Sequence, residues 1–180
     1  GIVHRDIKPQ NIIVVNDGST DDTTNILEQY PAIRTITHPV NKGKGTALKH
    51  GLSQAKKEGF RYAITIDSDG QHFASDIPCF IEAIEKEPDT LLVGARNLAS
   101  DNMPGKNTFA NKFSNFWFRL ETGLKLEDTQ SGYRLYPLRK MDVQSCWYTA
   151  KYEFELEAIV FAAWGDVVVK NIPIHGYDPP

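Results

Sequence analysis

Short β-branched runs recur through the first half of the chain, and each stops at a cluster of turn-forming residues. Residues 11–15, "NIIVV", read as a buried strand that ends at "NDGST". Asp21, Asp22 and Thr23 offer N-caps to a helix through "TTNILEQY", which Pro31 stops. "IRTITH" alternates like a second strand. "NKGKG" then leads into "TALKHGLSQAKKEG", where Ala47, Leu48, Leu52 and Ala55 fall on one helical face. "YAITI" is a third strand and runs directly into "DSDGQH"; a capped helix in "SDIPCFIEAIEKE" and a strand in "TLLVGAR" follow. This βαβαβ order predicts an α/β domain with a parallel or mixed sheet covered by helices. Beyond Arg96 the rhythm changes. "NTFANKFSNFWFRLETGL" has the spacing of an aromatic amphipathic helix that packs on the sheet, and "TQSGYRLYP" reads as a turn plus short strand. "YEFELEAIVFAAWG" is a helix ended by Gly165, and "DVVVKNIPI" closes as a strand. No internal repeat or low-complexity linker interrupts the pattern.

At 180 residues and 20.2 kDa the chain has room for one domain with a full core. Its 20 basic and 23 acidic residues give a net charge of -3, without the basic excess of a dedicated nucleic-acid binder, so no nucleic-acid partner is expected. No apolar run approaches the roughly 18 residues of a membrane span. Cys79 and Cys146 are too few for a disulfide scaffold and suit a reducing compartment. The expected location is cytoplasmic, with a peripheral contact on a membrane surface left open.

In open α/β sheets ligands gather at the carboxyl ends of the strands. Three loops there carry chemistry. After the first strand, Gly18 permits a tight turn that leaves the Asp17 carboxylate to accept from a base or ribose. After the second, "NKGKG" sets two glycines and two lysines at a helix start, which suits a phosphate. After the third, Asp67 and Asp69 sit one residue apart with Gln71 close behind. A hard divalent cation, Mg2+ or Mn2+, takes such oxygen ligands together with substrate phosphates. Alone, the acidic pair reads first as a solvated turn, and a glycine-rich helix start as a plain turn. All three loops in order at successive strand ends point instead to one site.

"IIVVNDGSTDDT", "NKGKGTALKHGL", "YAITIDSDGQH", "LLVGAR" and "DTQSGYRLYP" resemble, in order and spacing, the family 2 inverting glycosyltransferases of the GT-A fold. Within that family they look most like the polyprenol-phosphate (dolichol-phosphate) mannosyl- and glucosyltransferases. The resemblance implies a Rossmann-like nucleotide-diphospho-sugar transferase: a mixed sheet flanked by helices, an enzyme that moves a sugar from a GDP- or UDP-sugar to a polyprenyl-phosphate or saccharide acceptor. It implies that Asp17 with Gly18 contacts the donor nucleoside, that Asn41, Lys44 and Gly45 belong to the donor-binding glycine loop, and that Asp67 and Asp69 bind metal and diphosphate, with Gln71 completing the metal shell. Arg96 and Arg134 resemble the arginines that hold an acceptor phosphate. Asp128 falls on the acceptor side, and Glu155 and Glu157 match acidic positions on the following helix.

The chemistry is coherent with those roles. Loss of the diphosphate leaves positive charge at the anomeric carbon and negative charge on the leaving oxygen, which a metal, Lys44 and the loop amides would neutralise. Attack from the opposite face inverts the centre through an oxocarbenium-like state. A lipid phosphate is already anionic and needs arginine forks more than a base; a sugar hydroxyl needs a base, for which Asp128 is the first candidate.

Residues 1–11 do not share this likeness. "HRDIKPQN" resembles the catalytic loop of protein kinases, with Asp6 as base, Lys8 at phosphate and Asn11 at magnesium. No glycine-rich loop precedes it and no DFG aspartate follows at the required distance, so kinase activity is not expected. The usual first βα unit of the glycosyltransferase fold has no counterpart here. The expected organisation is a kinase-loop-like segment at 1–11 and a truncated GT-A domain at 12–180, which an inactive or binding-impaired glycosyltransferase fragment would also fit. His38, His50 and His175 show no metal-ligand grouping, and His72 reads as a loop histidine that could approach the diphosphate.

Overall fold

The computed structural model describes residues 8–96, 126, 128–141 and 153–175. Its elements are β1 (Ile13–Asn16), α1 (Thr23–Glu28), β2 (Arg34–Thr37), α2 (Lys44–Lys57), β3 (Tyr62–Thr65), α3 (Ile77–Lys86), β4 (Leu91–Arg96), β5 (Arg134–Pro137), α4 (Glu153–Trp164) and β6 (Val169–Ile174). Each falls in a segment that the hydrophobic pattern assigns to it. The predicted aromatic helix at 107–124 and the kinase-like Asp6 lie outside the described residues. Pro9–Asn11 form a single 3-10 turn that feeds β1.

The strands pair as a mixture of parallel and antiparallel ladders, and they do so in two pieces. β1 and β2 form a parallel ribbon, with Ile13 opposite Arg34 and Asn16 opposite Thr37. The other four run in the order β3-β5-β4-β6; β5 is antiparallel to both neighbours, and β4 pairs with β6 in parallel. The division into two sheets is not visible in the sequence, because strand order along the chain says nothing about which edges meet.

Alternation along the strands divides the core between two faces. Leu91 and Val93 of β4, Tyr136 of β5 and Val169 of β6 point into a cluster closed by Leu52 and Ala55 of α2 and Phe154, Ala158, Ile159 and Ala162 of α4. Leu92, Leu135, Ile172 and Ile174 point the other way, against Phe80 and Ile84 of α3. Ile13 of β1 and Ala63 of β3 both lean on the first cluster, and Gly51 of α2 lies against Val15, so α2 spans the two ribbons. α1 buries none of its residues, and Ile26 stays exposed. Among the described residues no helix is long and apolar enough to cross a membrane.

This topology selects one edge of the molecule. Because β5 is antiparallel to β3, with Thr65 opposite Arg134, the start of β5 lies beside the end of β3. The loops after β1, β2 and β3, the loop before β5 and the first turns of α2 and α4 therefore supply the side chains brought together below.

Candidate functional site

The loops after β1 and β2 are locked together. Gly18 has φ 72, and a Cβ on it would lie 2.5 Å from the backbone of Val40 and Asn41, so no larger residue fits where the two loops cross. Asp17 is not left open as the turn alone suggests. Its Oδ1 accepts from the Lys42 amide at 2.9 Å and from His38 Nδ1 at 2.6 Å, and its Oδ2 accepts from the Gly43 amide at 2.8 Å. Desolvation raises the Asp17 carboxyl's pKa, but the His38 bond and the two amides outweigh it and hold the group below the usual carboxylate range. Asn41 contributes a further acceptor to the Gly43 amide. Gly43, at φ 93, caps α2, and Gly45 is buried in its first turn.

The end of β3 meets two helix starts. Lys44, first residue of α2, places its ammonium 2.8 Å from Asp67 Oδ2 and 2.9 Å from Glu155 Oε1 in the first turn of α4. The three groups come from distant parts of the chain and are partly to largely buried. Burial works against the Lys44 charge, yet the bonds to Asp67 and Glu155 prevail and lift its pKa above the ordinary lysine value. Gly132 closes the floor: a Cβ there would come within 2.8 Å of Glu155 Oε1 and closer still to Asp67 Oδ2. The glycine leaves the two carboxylates room to converge on one cation.

The loop before β5 is a network of buried polar groups. Asp128 Oδ1 accepts from the amides of Gln130 and Ser131, which folds the loop on itself. Asn171 of β6 donates to the carbonyls of Val93 and Asp128. Arg134 is fully buried, and its guanidinium donates to the carbonyls of Ser131 at 2.6 Å, Thr129 at 2.8 Å and Glu155. It is thus a clamp between loop and α4 rather than an arm extended toward a ligand. That differs from the phosphate contact its motif suggests. The reason is tertiary: the carbonyls of Ser131, Thr129 and Glu155 converge on its guanidinium inside the core.

The remaining candidates are more dispersed. Asp69 and Gln71 are exposed, and Asp69 Oδ1 accepts from the Gln71 amide, closing their turn. Glu157 is half-buried on α4 and lies about 200° around the helix axis from Glu155, so the two do not converge. Arg96 ends β4 opposite Ile174, on the same edge of the sheet, and its side chain lies outside the described residues. Among the described residues no three His, Cys, Asp or Glu side chains are grouped to hold a metal ion by themselves. Two carboxylates already gathered around an ammonium, above a hollow that a Cβ would fill, nonetheless fit a hard cation completed by substrate oxygens.

Sequence reasoning passes over His38, His50 and Gly132. His38 Nε2 lies 2.7 Å from His50 Nδ1, joining Asp17 to α2. The one available signal is that His38 directly follows a strand on the ligand-bearing edge.

Residues 2–143 match the family described as Glycosyl transferase family 2. A UDP-N-acetylglucosamine–dolichyl-phosphate N-acetylglucosaminyltransferase of Methanococcus voltae is 32% identical over 91% of this chain and 73% of its own length. A polyprenol monophosphomannose synthase of Mycolicibacterium smegmatis is 26% identical over 97% of the chain and 69% of its own. Among solved structures, glucosyl-3-phosphoglycerate synthase from Mycobacterium tuberculosis with uridine diphosphate superposes with a TM-score of 0.62 at 20% identity, over 93% of this chain. The same enzyme with Mn2+, UDP-glucose and phosphoglyceric acid gives 0.61 at 22%. The chain spans 61% of that synthase, and the likeness establishes a shared GT-A fold. With the family match covering most of the sequence, the chain belongs to glycosyl transferase family 2.

Proposed function

We propose that this chain carries the donor site of a glycosyltransferase that moves a sugar, with inversion, from a UDP-sugar to a polyprenyl phosphate. The observation that carries the reading is the meeting of Lys44, Asp67 and Glu155 above Gly132, beside the glycine loop that Asp17 pins. Relatives named for polyprenyl-phosphate acceptors, and a fold neighbour solved with Mn2+ and UDP-glucose, favour that donor, metal and acceptor over the saccharide and GDP alternatives.

In this reading Asp67 and Glu155, the carboxylates that converge over Gly132, would hold Mn2+, with Asp69 two residues on as a further oxygen donor, and the metal would supply Lewis-acid neutralisation of the departing diphosphate. The chain's own residues do the rest. Lys44 offers its ammonium to the diphosphate oxygens, and the first turn of α2 adds the positive end of the helix dipole. Glu155 holds Lys44 in place between substrates. Asp17 accepts an N–H from the base. The acceptor phosphate is already an anion, so attack requires no carboxylate base, and Asp128 shapes the loop instead. Of the two arginines that the motifs place at the acceptor, Arg134 is committed to three carbonyls, which leaves Arg96.

Calorimetric titration of the chain with UDP and with GDP, each with and without Mn2+, tests the donor site. UDP binding that requires Mn2+ and weakens at least about tenfold in Asp67→Asn is expected from loss of a charged ligand. Binding indifferent to Mn2+ and to the substitution overturns the site; preference for GDP overturns the choice of nucleotide. Transfer from a UDP-sugar to dolichyl phosphate, with product anomer read by NMR, tests acceptor and stereochemistry, and a retained anomer overturns inversion.

A further inference from the structure

We infer that His38 and His50 are positioning residues for the donor nucleoside: with Asp17 they form one hydrogen-bonded chain that keeps the carboxylate turned toward a nucleobase N–H. The inference rests on the donor reading above and adds two residues to it.

The chain begins at the surface and ends in the crossing loops. His50 is exposed on α2; His38, which follows β2, is buried; Asp17 is mostly buried after β1. The contacts are 2.7 Å between His50 Nδ1 and His38 Nε2, and 2.6 Å between His38 Nδ1 and Asp17 Oδ1. The His38 amide also donates to the Asn16 carbonyl, which fixes the ring's root to β1. An ionised carboxylate has about four acceptor positions. His38 and the Lys42 amide use Oδ1, and the Gly43 amide takes one position on Oδ2. Oδ2 therefore keeps an acceptor position for a base that presents an N–H on its pairing edge. Uracil N3–H and guanine N1–H are such donors, whereas the corresponding ring nitrogens of adenine and cytosine are acceptors that a carboxylate repels.

Tautomers follow from the contacts. Facing a carboxylate, His38 Nδ1 carries a proton. Only one hydrogen fits between two ring nitrogens 2.7 Å apart, so in the neutral chain His50 Nδ1–H donates to His38 Nε2. One further proton is accommodated on either ring with the contact intact. A second sets two N–H groups against each other and parts the rings. The groups facing His50 are His38, Lys42 and Lys57, which oppose its charge, and Asp17, which favours it. Desolvation first, and then those cations, lower its pKa below the ordinary value, so the parting is reached only in acid.

The test compares UDP with inorganic pyrophosphate, both with Mn2+, by calorimetry between pH 5 and pH 8, the range in which imidazoles titrate. His38→Ala should weaken UDP about tenfold and pyrophosphate by no more than about twofold, the worth of one charge-assisted bond at the base. His38→Asn, whose amide replaces Nδ1 but cannot reach His50, should restore most UDP affinity and abolish the acid fall expected of the wild type. Equal weakening of both ligands, undiminished UDP binding in His38→Ala, or an acid fall that persists in His38→Asn overturns the positioning role alone. A wild-type chain that binds neither ligand overturns the donor reading as well.

Discussion

Gly132→Ala is the sharpest probe of the site, because it adds one carbon and nothing else. Gly132 is not among the glycines with positive φ, so alanine brings no backbone strain, and its effect is contact alone. The new Cβ would lie 2.8 Å from Glu155 Oε1 and 3.0 Å from Asp67 Cγ, with Asp67 Oδ2 nearer still. Ordinary separation starts at about 3.5 Å, so Glu155 must retreat by roughly 0.7 Å and Asp67 by more. Lys44 bridges the two carboxylates at 2.8 and 2.9 Å and cannot follow both as they part. The expected loss of stability is about 1–3 kcal/mol, as for other overpacked sites. Because the new Cβ displaces both carboxylates that the metal and Lys44 depend on, Mn2+-dependent UDP affinity should fall at least about tenfold. Thermal unfolding and calorimetry on the same preparation measure the two effects. Gly59→Ala is the control: it sits at φ 86 with no atom near its Cβ, so it should cost stability and leave binding alone. A folded Gly132→Ala with wild-type UDP affinity would refute the reasoning.

Two further outcomes bear on the framework. Arg134→Met should lower stability by about 2–5 kcal/mol in urea unfolding, since it removes three charge-assisted hydrogen bonds that a fully buried guanidinium makes to Ser131, Thr129 and Glu155; a loss under about 1 kcal/mol contradicts the clamp. Tyr133 is pushed up to about 12, by burial first and then by Asp76 and Cys79. A raised pKa of this kind contributes stability that is complete below pH 10.0 and disappears as pH rises toward 12, so Tyr133→Phe should flatten the alkaline decline in unfolding free energy. An unchanged slope between pH 9 and 11 would count against it.

Much of the fold was legible because it depends on local chemistry. β-Branched runs marked the strands, Pro31 and Gly165 marked helix ends, and the mixed α/β class followed from their alternation. The order of loops at strand ends also led to Asp17, Lys44 and Asp67. Other expectations misjudged what a side chain does once it is surrounded. Asp17 was expected to be open, yet two amides and His38 already bond it. Arg134 carries the charge that a phosphate contact needs, but three carbonyls converge on it first. Glu155 and Glu157 share a motif, while the helical repeat separates them.

Residue type and spacing along the chain settled the succession of elements, the loops that bear charge and the family. The split of the sheet into two ribbons, the gathering of Lys44, Asp67 and Glu155 over Gly132, and the link from Asp17 through His38 to His50 depended on three dimensions. Periodicity reports which face of an element is apolar, because burial is driven residue by residue. It carries no information about which polar groups, 12 to 111 positions apart in sequence, will be left within 3 Å of one another when those faces close.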